Sequence, residues 1–253
     1  MLQQTQTGRV RDRWTAFLAR WPTPGACAAT PLPEELRFWQ GLGYPRRARA
    51  LWNAALQIDA GGWPHGEEGL RTLPGVGPYT ARALLTLAFG ELSRPPLDIN
   101  ISRVAARAAL GANPGEVKTF EIEAAVATGR PRALDARRYT FALFDAGALH
   151  CRAVPACGGC PLAHGCRWLA RGARPETRPG GRQRYEGTMR QLRGAVLAAQ
   201  LSERPPATLP DLVRRVAAAP LSREPGSVAL ALASLRADGL LPDGIEAAPP
   251  SKR

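Results

Sequence analysis

Leu73-Pro74-Gly75-Val76-Gly77 is followed at once by Pro78-Tyr79-Thr80-Ala81 and an apolar run to Phe89. Two glycines around one apolar residue let a backbone turn tightly, and Pro78 suits the first position of a helix. The stretch predicts two helices joined by a short turn, the second over 79–89. Such a turn presents its N–H groups, and the N-terminus of the next helix, to a phosphate. No particular side chain is needed, so Leu73, Gly75, Val76, Gly77 and Thr80 are candidates for a DNA contact that does not read sequence. A plain helix-joining turn would use the same residues, and the surroundings have to decide.

Upstream, Trp14, Phe17, Leu18 and Trp21 recur at helical spacing until Pro22 and Pro24. Leu36, Trp39 and Leu42 repeat the pattern before the turn at 41–45, and Leu51, Ala55 and Ile58 follow. Downstream, helices are predicted over 102–110, 120–126 and 141–149. No long strand-like alternation and no internal repeat occurs, so the fold class is all-α. Residues 172–184 read as a Pro/Gly/Arg-rich linker. Between 167 and 193 stand eight arginines against two glutamates, either a solvated linker or a track for phosphates. Three short helices are predicted beyond it, over 189–200, 209–219 and 228–237. Residues 239–244 (GLLPDG) would begin a wing if the module is a winged helix; the alternative is a bundle packed on the body. The tail AAPPSKR is expected to be disordered.

A chain of 253 residues can bury one large core or two modest ones. Its net charge of +13 favours a polyanionic partner. All its basic residues but Lys118 and Lys252 are arginine, which a GC-rich genome would also produce. No apolar run reaches membrane-spanning length, and MLQQTQTGRVRDRW lacks the apolar core of a secretory signal. Four of the five cysteines fall between 151 and 166, a spacing for metal in a reducing compartment rather than for a disulfide framework. A cytoplasmic, nucleoid-associated protein is expected.

Twenty-one residues past Gly77 comes Leu97-Asp98-Ile99-Asn100, then a basic helix. Asp and Asn are frequent helix N-caps, and capping explains the pair by itself. Beside a phosphate-binding turn, however, a carboxylate can stabilise positive charge developing on a deoxyribose as its base leaves, with Asn100 orienting it. Cys151, Cys157, Cys160 and Cys166 form C-x5-C-x2-C-x5-C. Four thiolates so spaced can enclose zinc or a 4Fe–4S cluster. Zinc sites more often pair two C-x2-C knuckles, and only one is present. Cys27 stands apart as a core residue.

Together these residues resemble the helix-hairpin-helix, iron–sulfur DNA glycosylases of the endonuclease III superfamily, and within it the adenine-specific, MutY-like branch. The resemblance covers about residues 1–170, and 185–241 weakly. It implies a six-helix barrel domain over 1–93, a cluster domain holding 4Fe–4S over 94–172, a basic linker over 173–188 and a small C-terminal helical module over 189–245. It also implies that Met1-Leu2-Gln3-Gln4-Thr5-Gln6 is a minor-groove motif, with Gln3, Gln4 and Thr5 on DNA and Gln4 wedged near the lesion. Gly41-Leu42-Gly43-Tyr44, with the arginines after it, resembles a second wedge loop in which Tyr44 intercalates; by itself Tyr44 reads as a core or turn aromatic. Bifunctional members carry a nucleophilic lysine two residues after the hairpin, where this chain has Tyr79. A monofunctional hydrolase is implied, with Asp98, Asn100 and Tyr79 as site residues.

The implied substrate is adenine mispaired with 8-oxoguanine or guanine in double-stranded DNA, flipped into a pocket by a monomeric enzyme. A thymine/uracil mismatch glycosylase and a DNA-binding protein without chemistry are the alternatives. In the branch it resembles, the general-acid glutamate lies two residues before the Met that is residue 1 here. The natural chain is expected to start upstream; otherwise excision should fall by about 10² to 10⁴, the usual worth of general acid catalysis. No Nudix-like domain of the kind that reads 8-oxoguanine is expected after the C-terminal module.

Overall fold

The computed structural model describes residues 1–2, 5, 7–91, 94–172, 174 and 185–241. Among them the structure is helical and without strands. In chain order the helices are α1 (Thr7–Arg20), α2 (Pro24–Ala28), α3 (Leu32–Trp39), α4 (Arg46–Gly61), α5 (Gly66–Arg71), α6 (Pro78–Leu84), α7 (Ile99–Ala105), α8 (Thr119–Thr128), α9 (Ala136–Asp145), α10 (Arg167–Ala170), α11 (Met189–Gln200), α12 (Leu209–Arg215) and α13 (Ser227–Ala237). They form two compact units, one of residues 1–62 with 181–253, the other of residues 63–180.

In the first unit, side-chain caps start three of the helices. Thr23, Thr188 and Thr208 each accept a backbone N–H from the first turn of α2, α11 and α12. The C-terminal helices do more than lie on the body. Leu192 and Val196 of α11, Leu212 of α12 and Leu235 of α13 are fully buried in one cluster with Leu36, Trp39, Leu42 and Ala48. Each such leucine contributes about 2 kcal/mol through burial. Arg37 donates to the Leu201 carbonyl at 2.7 Å, and Arg49 to that of Asp238. A smaller aromatic cluster joins Phe17, Trp21 and Phe38, with Trp21 and Phe38 5.1 Å apart and edge-on. The expected apolar stripe of α1 is only half used, because Phe17 and Trp21 are buried while Trp14 and Leu18 face solvent. The start of the expected wing, residues 239–241, is described; residues 242–244, the tail and most of the linker lie outside the described residues.

Glu35 of α3 is wholly buried. Its Oε2 accepts only the Cys27 thiol at 3.5 Å, and its Oε1 has no hydrogen-bond partner. Burial pushes its carboxyl from 4.5 up to about 7, the thiol's bond opposing. Burial, then the charge and bond of Glu35, pushes Cys27 up to about 12, so the expected core cysteine stays a neutral thiol. A carboxyl that holds its proton more tightly when folded gives full stability below about pH 4.5 and loses it as pH rises to about 7. The span corresponds to roughly 3 kcal/mol. Glu35→Gln should therefore gain on the parent steadily between pH 4.5 and 7 in denaturant melts, and hold a constant lead above. A difference that stays flat with pH would locate the proton elsewhere.

In the second unit, Arg82 of α6, nearly buried, ties three helices. Its guanidinium meets Glu67 of α5 at 3.0 Å and Glu123 of α8 at 2.7 Å. Three helices of this unit widen into π-helical turns after α6, α7 and α9, at Leu85–Phe89, Ala106–Leu110 and Ala146–His150. The predicted helices over 79–89, 102–110 and 141–149 are these α-helices with their wider ends. Ile101, Val104, Ile122, Val126 and Leu143 make the core between them.

Candidate functional site

The turn between α5 and α6 has the form its sequence predicts. Leu73 is buried and anchors it, and the Val76 N–H closes on the Leu73 carbonyl at 3.1 Å. Gly75 has φ +78, a conformation that side chains rarely adopt, and Gly77 caps α6 with Pro78 at its first position. Gly75 and Gly77 are exposed, so the turn offers backbone rather than side chains. Thr80 sits half-buried in the first turn of α6.

Asp98 caps α7. Its Oδ1 accepts the N–H of Asn100 at 2.9 Å and of Ile101 at 2.7 Å. Its Oδ2 accepts the Asn100 side-chain amide at 3.0 Å. Asn100 is thus inside the helix rather than its cap, and the capping and orienting readings describe one arrangement. The Asn100 Oδ1 accepts from Arg103 at 2.9 Å, and Arg103 donates onward to the Cys151 carbonyl at 2.7 Å. Tyr79, two residues past the hairpin, lies near this carboxylate. Burial raises its phenol pKa, and the charge of Asp98 raises it further. Hairpin helix and carboxylate therefore lie near each other in this unit.

Gly147 was not visible as a site residue. It sits on the π-helical turn after α9, and a Cβ there would fall 2.5 Å from the Cβ of Asn100. Only glycine lets the end of α9 approach the start of α7 so closely. No periodicity in the sequence signals this contact, because it joins residues 47 positions apart.

Cys151, Cys157, Cys160 and Cys166 line one small pocket, with Arg107 and Trp168. All four are half-buried. Burial raises the thiol pKa of Cys151, against the opposing bond and charge of Arg107 and the charge of Arg103, and it raises that of Cys157, where Cys160 and Cys166 add to it. Among the described residues, no three His, Cys, Asp or Glu side chains converge as a single bound ion requires. Arg107 also escaped the sequence reading. It is buried, donating to Asn113 Oδ1 at 3.0 Å and to the carbonyls of Arg152 at 2.8 Å and Ala153 at 3.3 Å. Its guanidinium lies 4.8 Å from the Trp168 ring.

In the other unit, Thr5 and Tyr44 are brought together through Arg47. Thr5 donates to the Leu42 carbonyl at 3.0 Å. Arg47 donates to Thr5 Oγ1 at 2.9 Å and to the carbonyls of Leu42 and Gly43. Its guanidinium also lies 5.3 Å from the Tyr44 ring. Gln3 and Gln4 lie outside the described residues. No helix among the described residues is long and apolar enough to cross a membrane.

Residues 1–124 match the family model of HhH-GPD superfamily base excision DNA repair proteins. Over 245 residues the chain is 40% identical to the adenine DNA glycosylase of Mycolicibacterium smegmatis, covering 95% of this chain and 81% of that one. It is 40% identical over 218 residues to that of Mycobacterium tuberculosis, covering 84% and 71%. Among solved structures, a thermostable thymine-DNA glycosylase is similar with a TM-score of 0.57 at 26% identity, over 67% of this chain and 80% of that one. A match of 245 residues necessarily runs on past the family model into the C-terminal helices. Hairpin, capped carboxylate and extended sequence match agree: the chain belongs to the adenine DNA glycosylases, within the HhH-GPD superfamily of base excision DNA repair proteins.

Proposed function

We propose that this chain is a monofunctional DNA glycosylase that hydrolyses the N-glycosidic bond of adenine mispaired with 8-oxoguanine or guanine, acting as a monomer on double-stranded DNA in the cytoplasm. The observation that carries the chemistry is Asp98. Three hydrogen bonds fix its carboxylate, so it is set in place before the sugar's positive charge develops, which is the condition for electrostatic catalysis. Tyr79 stands where a lyase would need an amine, and its phenol, raised in pKa, stays protonated and cannot form a Schiff base. The hairpin backbone at Gly75, Val76 and Gly77, with Leu73 and Thr80, holds a phosphate; Gln3, Gln4 and Thr5 contact the minor groove, and Gln4 and Tyr44 wedge into the stack.

The four cysteines line one pocket and would hold a 4Fe–4S cluster, which their spacing favours over zinc because zinc sites more often pair two C-x2-C knuckles. Such a cluster would serve structure, pinning the loop of residues 151–166. The domain division read from the sequence, with 1–93, 94–172, 173–188 and 189–245 as barrel, cluster domain, linker and module, belongs to the same proposal.

The test is base release from duplexes carrying A opposite 8-oxoguanine, A opposite G, T opposite G and U opposite G. Adenine should be released from the first two, with strand cleavage only after alkali. The likeness to a thymine-DNA glycosylase gives the second reading its weight. Release of thymine or uracil, or a covalent complex trapped by borohydride, would sink the adenine reading.

A further inference from the structure

Tyr44 is the one non-glycine residue with positive φ among the described residues, at +50. A side chain rarely adopts that conformation unless its surroundings hold it there. What holds it comes partly from the far end of the sequence. Arg190 donates to the Tyr44 hydroxyl at 3.1 Å. The same guanidinium lies 6.0 Å from the Tyr44 ring and 5.5 Å from the Tyr185 ring. Arg47 approaches Tyr44 from the first turn of α4. Both tyrosines remain about half exposed.

Arg190 is also oddly placed for a surface arginine. It is the second residue of α11, a helix with no acidic residue in its first turn. A cation there opposes the helix dipole, which favours negative charge at this end. Helix stability does not explain it, whereas its contacts with Tyr44 and Tyr185 do.

We propose that Arg190 is a positioning residue for Tyr44. It holds the ring outward, in the pose from which the tyrosine enters the base stack, and Tyr185 packs against the same guanidinium. The C-terminal helices thereby take part in engaging the mismatch, without reading DNA themselves. This inference rests on Tyr44 being a wedge.

The experiment compares Tyr44→Ala, Arg190→Ala, Arg190→Lys and the Tyr44→Ala/Arg190→Ala double variant. Two quantities are read: affinity for mismatched and fully paired duplexes, and the fluorescence of 2-aminopurine beside the mismatch, which reports unstacking. Tyr44→Ala should lose roughly ten-fold in mismatch affinity and the fluorescence rise. Arg190→Ala should lose about three- to ten-fold on the mismatched duplex, little on the paired one, and most of the fluorescence rise. Arg190→Lys should behave like Arg190→Ala, because it keeps the charge but not the planar fork. The double variant should be no worse than Tyr44→Ala alone. Equal losses on both duplexes, rescue by lysine, or additivity would make Arg190 a phosphate contact and overturn the inference, as would an unchanged Arg190→Ala. A silent Tyr44→Ala would remove the wedge reading and this inference with it. Thermal melts of the exposed-site variants should match the parent, which separates these outcomes from misfolding.

Discussion

Asp98→Asn is expected to slow base excision by roughly 10³-fold or more, while duplex affinity stays within a few-fold of the parent. Asparagine is as good an N-cap as aspartate, and its carbonyl oxygen can still take the N–H groups of Asn100 and Ile101 that Asp98 Oδ1 holds. What disappears is the charge. The new amide also faces the Asn100 amide, where Asp98 Oδ2 accepted a bond, so one local bond is lost as well. The fold should pay at most about 1 kcal/mol. Single-turnover release with enzyme in excess separates chemistry from binding. Excision within ten-fold of the parent would show that the carboxylate is only a cap.

Arg107→Leu is expected to destabilise the second unit by roughly 2 to 3 kcal/mol, because it strands the buried Asn113 side chain and releases two carbonyls of the cysteine loop. Asn113 Oδ1 and two carbonyls of the cysteine loop depend on this guanidinium. Arg107→Lys should fall between, since one ammonium cannot reach three acceptors in a planar fork. In thermal melts, about 10 °C should separate the leucine variant from the parent. Its iron and sulfide content after anaerobic reconstitution should drop with it. A variant that melts with the parent would mean that the loop is held by other contacts.

The parts of this site that were legible in the sequence are local. The hairpin is five consecutive residues, Asp98 and Asn100 are two apart, and the cysteines fall within a span of 16. Each announces itself because turn geometry, capping and ligation act over short distances. Arg107, Gly147 and Arg190 were silent for the opposite reason, since their partners arrive through tertiary packing. Charge patterning would have put Arg107 and Glu35 at the surface, yet both are buried. Trp14 and Leu18 erred in the other direction, completing a helical stripe that the core does not cover. Helix positions followed the hydrophobic period closely, as over 189–200, where predicted and observed bounds coincide.

The shared core of α3, α4 and the C-terminal helices bears on how the chain is made. The second unit is one unbroken segment, residues 63–180, and all its contacts exist once that segment has left the ribosome. The first unit is split around it. Leu36 and Trp39 must wait for Leu192, Leu212 and Leu235 before their cluster closes, a loop closure across more than 150 residues of chain. The part synthesised first is therefore the part completed last. Through that interval the early helices carry apolar faces whose C-terminal cover has yet to be translated.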